Sequence, residues 1–235
     1  MENKFEVLFG IKNTDVKRNC ILMPLLAKDT LSTLGIEKFK RGKLYSAGNT
    51  KHFTLIVTGM GAGFVGDAVL YLKDTPACKV LLLGSCGLVS AKPGFDIGSL
   101  VSPVKSFSQE SFAGMLSKQE YKNISFLPDN DLSQLLLEAG SGLGIKKVQC
   151  STVSSLKLEE ERVDLLSADG IDVVDMESSA FFSAASHAGL KAAALFYVSD
   201  IIGEKPWYRA LGPLDKEALF VSMKKSLLFV RTFFH

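Results

Sequence analysis

Residues 173–200 read VVDMESSAFFSAASHAGLKAAALFYVSD, and this stretch decides the class of fold. A short apolar run at Val173–Asp175 precedes a segment from about residue 177 to 188 whose apolar residues recur at helical spacing, with Gly189 as the stop. A second apolar run follows at Ala193–Val198. Apolar strands that alternate with helices are typical of a largely parallel sheet covered on both faces, which predicts an α/β layered fold.

The same alternation runs along the rest of the chain. Further strands are predicted at Cys20–Met23, Thr54–Val57, Lys79–Leu83, Ser99–Val101 and Val148–Cys150. Further helices are predicted at Lys28–Leu34, Val65–Leu72, Asp131–Ala139, Glu159–Leu166 and Leu214–Phe234. No linker rich in Pro, Gly or Ser divides the sequence, so we expect a single domain over residues 1–235.

Composition excludes several classes of protein. The 27 Lys and Arg residues nearly balance the 25 Asp and Glu residues, so charge favours neither a nucleic-acid nor a membrane partner. Charged residues interrupt every long apolar run, and the first residues do not resemble a signal peptide, so we expect a cytoplasmic protein without a membrane span. The four Cys and three His residues are scattered, and no metal site is expected.

Ligands in open α/β sheets bind beyond the carboxyl ends of the strands, so the residues that follow each predicted strand are candidates. TGMGAG at residues 58–63 is either a backbone cradle for a ligand or a tight turn. GSCG at residues 84–87 presents the hydroxyl of Ser85 to an anion or a water molecule. Cys86 has no basic partner nearby in sequence that would activate it as a nucleophile.

Two further strand ends carry acids. Asp175, Met176 and Glu177 lie between a strand and a helix, and Ser199 and Asp200 end the next strand. Neighbouring ends would bring up to three carboxylates into one crevice. Taken singly, an acid in the first turn of a helix or at a turn also has a purely structural explanation.

The order of these motifs resembles the nucleoside phosphorylase superfamily. TGMG, GSCG with PGFDIGSLV after it, VVDMESSAFFSAA and FYVSD together span roughly Ile21 to Asp200. The superfamily includes purine nucleoside phosphorylases, uridine phosphorylases and methylthioadenosine/S-adenosylhomocysteine nucleosidases. The resemblance implies a three-layer α/β/α fold with a central mixed, mainly parallel sheet. It also implies cleavage of a nucleoside N-glycosidic bond without a cofactor, inorganic phosphate being a possible co-substrate, in a homo-oligomer built as a dimer or a trimer of dimers.

The resemblance also implies residue roles. Asp200 is the expected general acid toward a purine N7, and its presence favours a purine because uridine phosphorylases generally do not carry this acid. Glu177 is expected to bind the ribose hydroxyls and Met176 to pack on the sugar. Ser85 and Gly61 are expected at the phosphate or water site. Asp175 and Ser199 are counted with the same substrate site.

The sequence departs from the superfamily at the phosphate site. Leu82 stands where phosphorylases typically carry an arginine, and MPLLAKD at residues 23–29 replaces an arginine-containing turn. Lys12, Lys28 or a neighbouring subunit are the candidate replacements. Phosphorolysis and hydrolysis both remain open.

Hydrolysis needs a group that activates water, and Asp15 is the candidate in the region where nucleosidases carry a glutamate. The aromatic residue expected to stack on the base is absent after the fifth strand, where Leu156 and Leu158 stand. Phe196, Tyr197 or Trp207 could replace it, although large aromatic side chains more often serve packing. The alternative function is a catalytically silent protein that binds a nucleoside or serves in an assembly.

Overall fold

The structure, a computed structural model, describes residues 3–109 and 124–234, and its strands join one ten-stranded sheet. The strands are β1 Asn19–Met23, β2 Phe39–Arg41, β3 Ser46–Asn49, β4 Phe53–Val57, β5 Lys79–Leu88, β6 Leu100–Gln109, β7 Ser125–Phe126, β8 Lys146–Val153, β9 Val173–Asp175 and β10 Lys191–Ile201. The helices are α1 Lys4–Phe9, α2 Thr30–Leu34, α3 Ala62–Tyr71, α4 Asn130–Ala139, α5 Leu156–Glu159, α6 Val163–Ala168, α7 Ser178–Ala188 and α8 Pro213–Phe233.

Helices cover both faces of the sheet. Apolar residues of α1, α3 and α7 pack with one face into a first core, while α2, α4 and α8 contribute to a second core on the opposite face. The layers follow from strand residues such as Ile21 and Leu22, which are both fully buried although they point to opposite sides. The prediction of an α/β fold with a central mixed sheet between helices is confirmed.

Five of the strands close into a ring. β10 pairs in parallel with β5 and antiparallel with β6, and β6 pairs in parallel with β8. β8 in turn pairs in parallel with β9, and β9 pairs antiparallel with β5. The strands β1, β4, β3 and β2 continue from β5 as an open sheet. The sequence predicts the strands of this ring but not its closure.

The largest difference from the sequence-based prediction lies in β5 and β10. The predicted strand Lys79–Leu83 ends before GSCG, which the prediction places in a turn, whereas β5 runs on to Leu88 and stays paired with β10. The glycines allow this close pairing, because Gly84 lies against the Phe196 ring and a Cβ atom at Gly87 would lie 2.9 Å from Asp200 Oδ2. The glycines are therefore places of close packing rather than of chain reversal.

Other elements also differ from prediction. The short strands β2, β3 and β7 and the helix α1 were not predicted, since two to six residues carry little periodicity. The helix predicted over Glu159–Leu166 is instead divided among α5, a 3₁₀ turn at Glu160–Arg162 and α6. The backbone keeps helical angles at Glu159 and Glu160 and departs from them at Arg162, just before α6.

The fold predicts the effect of a methyl group at Gly98. Gly98 has φ +82° and donates its backbone N–H to Val198 O in β10, while Ser222 of α8 donates to Gly98 O. A Cβ atom there would lie 2.7 Å from the Ala218 carbonyl oxygen of α8. We expect Gly98→Ala to lower the free energy of unfolding by about 1–3 kcal/mol, measured by urea denaturation.

Gly142→Ala is the matched control, because a Cβ atom at Gly142 meets no atom within 4 Å. Equal unfolding midpoints for Gly98→Ala and the control would show that α8 does not depend on this close approach.

Candidate functional site

A cavity of about 370 Å³ lies where several strands end. The carboxyl ends of β5, β9 and β10 line it, together with segments that follow β1, β4 and β8. Its volume lies within the range of small-molecule sites in proteins. The cavity brings together Ser85, Asp175, Met176, Glu177, Ser199 and Asp200, all of which the sequence singles out.

Asp200 reaches the cavity through an irregularity in β10. The register with β5 shifts between Val198 and Asp200, so that Ser199 is an extra residue. Tyr197 and Ser199 line the cavity as expected for alternate residues of a strand, and the bulge adds Asp200 to the same wall. Asp200 thus lies inside a strand at a bulge rather than in the turn that the sequence suggests as an alternative.

The carboxyl group of Asp200 is buried, with 7% of the residue exposed. Burial raises its pKa above the usual range, although the Ser199 hydroxyl donates a 2.6 Å hydrogen bond to Oδ1 and opposes this shift. The other carboxyl oxygen, Oδ2, lies close to Gly87, at 2.9 Å from where a Cβ atom of that residue would be. An aspartate in this environment holds a proton at a higher pH than an exposed one and is suited to act as an acid.

Glu177 lies between β9 and α7, at the N-terminal cap position of α7. Its Oε1 accepts a 2.6 Å hydrogen bond from the Gly61 N–H, at the start of α3. Burial and the neighbouring Asp175 raise the pKa of Glu177 to about 7. Gly61 is not among the described residues that line the cavity, so it acts on the site by holding Glu177.

Asp175 lines the cavity, but protein donors occupy its carboxylate. Oδ2 accepts from the Ser178 backbone N–H at 2.6 Å, and Oδ1 accepts from the hydroxyls of Ser178 and Thr152 at 2.9 and 2.8 Å. These donors oppose the rise in its pKa that burial causes. The network fixes the start of α7 and hence the position of Glu177.

The remaining predicted residues differ in access. Ser85 is exposed within β5 and Met176 is half-buried, and both line the cavity. Cys86 also lines it but is buried, and burial together with Asp175 and Asp200 raises the pKa of its thiol well above the usual value. The thiol therefore stays protonated, which agrees with the weak case for a nucleophilic cysteine.

The structure adds one acid that the sequence analysis does not select. Glu159, the last residue of α5, lines the cavity with only 2% of the residue exposed. Burial, followed by the nearby Asp200 and Glu160, raises its pKa to about 8. In the sequence Glu159 begins the run Glu159–Arg162, which resembles a solvated charged face, so no simple signal marks it.

The other candidates are divided among different places. Tyr197, Trp207 and Leu156 line the cavity, whereas Phe196 belongs to the first core. Asp15 lines a separate depression beside Ile11 and Glu37.

The charges around the cavity are acidic. Asp175, Glu177, Asp200 and Glu159 line it, whereas Lys12 and Lys28 do not appear among the described lining residues. Leu82, at the position where the resemblance leads us to expect an arginine, is fully buried in β5. Across residues 3–109 and 124–234, no three His, Cys, Asp or Glu side chains are placed so that they could hold a metal ion together. No helix in these residues is long and apolar enough to span a membrane.

Comparison with known proteins relates the chain to one superfamily. A family model described as the phosphorylase superfamily matches residues 23–222. A purine nucleoside phosphorylase of the DeoD type from Chromobacterium violaceum is 26% identical over 187 residues, which cover 76% of this chain and 74% of that protein.

Solved structures of the same fold carry several activities. A 5'-methylthioadenosine/S-adenosyl homocysteine nucleosidase from Campylobacter jejuni superposes with a TM-score of 0.72 at 18% identity, covering 93% of this chain and 98% of that one. A uridine phosphorylase from Vibrio fischeri superposes with a TM-score of 0.72 at 17% sequence identity, covering 95% of this chain and 93% of that one. An AMP nucleosidase from Bacteroides thetaiotaomicron superposes with a TM-score of 0.70 at 17% sequence identity, covering 98% of this chain and 96% of that one.

The buried acids predict how stability depends on pH. The pKa values of Glu159 and Glu177 are raised to about 8 and about 7, so the folded state holds protons that the unfolded chain releases near its ordinary value of 4.5. The free energy of unfolding should therefore fall as pH rises from about 4.5 to about 8. We expect Glu159→Gln to reduce the difference in unfolding free energy between pH 5 and pH 8.

Urea denaturation at the two pH values measures this difference, and Glu161→Gln, at an exposed neighbouring position, is the control. A Glu159→Gln protein whose pH dependence matches that of the wild type would contradict the prediction.

Proposed function

The chain belongs to the phosphorylase superfamily, and from this we propose that it cleaves the N-glycosidic bond between a ribose and a purine-type base. The observation that carries the proposal is the meeting of Asp200 and Glu177 in one cavity of about 370 Å³. The purine nucleoside phosphorylase from Chromobacterium violaceum supports a purine as the base.

In the proposed reaction Asp200 protonates the departing base. The Ser199 hydroxyl donates to Oδ1, so Oδ2 is the oxygen that carries the proton toward a purine nitrogen. Burial favours the protonated acid, as a general acid near neutral pH requires. The electron pair of the glycosidic bond goes to the base, which leaves neutral.

Glu177 is proposed to hold the sugar. As the base departs, positive charge develops on the ribose, and a carboxylate bonded to the ribose hydroxyls stabilises that charge. The Gly61 N–H fixes Oε1, and the Asp175 network fixes the backbone from which Glu177 extends. Met176 packs on the sugar, and we assign Asp175 a positioning role rather than direct contact.

We propose water as the acceptor of the ribosyl group. No arginine or lysine is among the described residues that line the cavity, and a phosphate dianion binds best beside such cations. Pro24, Leu25 and Leu26 supply apolar surface where phosphorylases carry a cationic turn. Water forms the new bond at the anomeric carbon next to the Ser85 hydroxyl and releases one proton to solvent, from which Asp200 regains its own.

A homo-oligomer belongs to the same proposal. Leu25, Met60 and Trp207 line the cavity and are more than a third exposed, at 61%, 49% and 57%. A second subunit that covers these apolar side chains would also close the cavity mouth.

The proposal predicts that Asp200→Asn abolishes most of the turnover. Asparagine keeps the shape of the side chain but cannot donate a carboxylic proton, so we expect kcat for base release to fall by about 10²–10⁴-fold with the fold intact. Asp169→Asn, at an exposed position, should leave turnover unchanged. Full turnover in the Asp200→Asn protein would refute the assignment of the acid.

The choice of acceptor predicts the phosphate dependence of the reaction. Free base is measured from purine and pyrimidine nucleosides, including 5′-substituted ones, with phosphate and in phosphate-free buffer. We expect release from a purine nucleoside at equal rates in both. Release only with phosphate would establish a phosphorylase, and no release from any nucleoside would favour the alternative of a silent binding or assembly protein.

A further inference from the structure

Glu159 is a buried acid with one unpaired carboxyl oxygen. Its Oε2 has no hydrogen-bond partner within residues 3–109 and 124–234, although only 2% of the residue is exposed. The backbone around it is well fixed, since Ser155 accepts hydrogen bonds from the N–H groups of Leu158 and Glu159. The carboxyl group is thus held firmly at the cavity wall with an oxygen unpaired.

Such an arrangement is unfavourable for folding alone. A buried polar group without a hydrogen bond destabilises a folded protein, and apolar residues such as Leu156 already line the same wall. A buried carboxyl group in a cavity wall that has an oxygen without a protein partner is suited to a polar ligand. Glu159 therefore points to a hydrogen-bonding group on whatever fills the cavity.

The neighbours of Glu159 locate that group. Among the described residues, the acids that raise the pKa of Glu159 are Asp200 of β10 and the adjacent Glu160. The Glu160 Oε2 lies 3.8 Å from the Lys157 Nζ. Glu177 is instead influenced by Asp175 and by the Gly61 N–H. Because Glu159 interacts electrostatically with Asp200, we assign it to the side of the cavity where the proposed function has the base.

We infer that Glu159 determines substrate specificity by hydrogen-bonding the C6 side of a purine base. The inference rests on the proposed function, because Asp200 at N7 leaves the C6 substituent as the neighbouring edge. A protonated carboxyl group presents one donor and one acceptor, which match N1 and the C6 group of both 6-amino and 6-oxo purines. A purine that carries only hydrogen at C6 lacks half of this match.

Protonation governs this contact. The pKa of Glu159 is about 8, so the donor is present at neutral pH and is lost above it. An ionised Glu159 would have only acceptors and would also repel Asp200. Recognition of the C6 group should therefore weaken as pH rises past about 8.

The test compares adenosine and inosine with purine riboside, which lacks a C6 substituent, in the wild type, Glu159→Leu, Glu159→Gln and the control Glu161→Gln. The preference is the ratio of kcat/KM for the better of adenosine and inosine to kcat/KM for purine riboside. We expect Glu159→Leu to reduce this ratio at least about tenfold relative to the wild type. Glutamine carries a donor and an acceptor at every pH, so Glu159→Gln should restore part of the preference and remove its decline above pH 8.

Binding of free adenine and hypoxanthine, measured by calorimetry, separates the two proposals. In one outcome, the wild type cleaves nucleosides while Glu159→Leu keeps the same preference for 6-substituted nucleosides over purine riboside. That result would overturn the role of Glu159 and leave the proposed function intact. Base binding that weakens about tenfold in Glu159→Leu supports the role even where no nucleoside is cleaved. Wild type that neither cleaves a nucleoside nor binds either base would overturn both.

Discussion

The parallel pairing of β5 with β10 is the constraint on which the site depends. The two strands stay paired from Lys79 and Lys191 to Leu88 and Ile201, and one extra residue at Ser199 shifts the register near the end. That single residue gives β10 two polar side chains in succession on the cavity wall. Gly87 completes the arrangement, because any side chain at that position would occupy the space of Asp200 Oδ2.

The four acids of the cavity are held in different ways, and the differences suit different tasks. Asp175 is saturated by hydroxyl and backbone donors, and Glu177 and Asp200 each accept one short hydrogen bond. Glu159 has the least hydrogen-bond support, because its Oε2 has no partner among the described residues. Acids so close together and so little hydrated oppose folding, which is the general pattern at sites where function is gained at the expense of stability.

The sequence predicts a large part of this arrangement, for a physical reason. Asp175, Glu177 and Asp200 follow apolar strands, and strand ends in α/β sheets converge, so their meeting in one cavity could be expected. The extension of β5 through GSCG could not, since glycine normally indicates a turn and its packing against Phe196 and Asp200 is a tertiary effect. Glu159 could not be predicted either, because its burial is a tertiary effect and it begins a charged run that is typical of a solvated surface.

The closed ring also affects the periphery of the sheet. Each strand of the ring has a paired strand on both sides, and the order of the described sheet ends outside the ring at β2. β2, at one end of the order, has only three residues, and two of them are the exposed Lys40 and Arg41. A short, positively charged border is a poor template for strand addition by a second molecule. The architecture that builds the cavity thus also protects the protein against edge-to-edge aggregation.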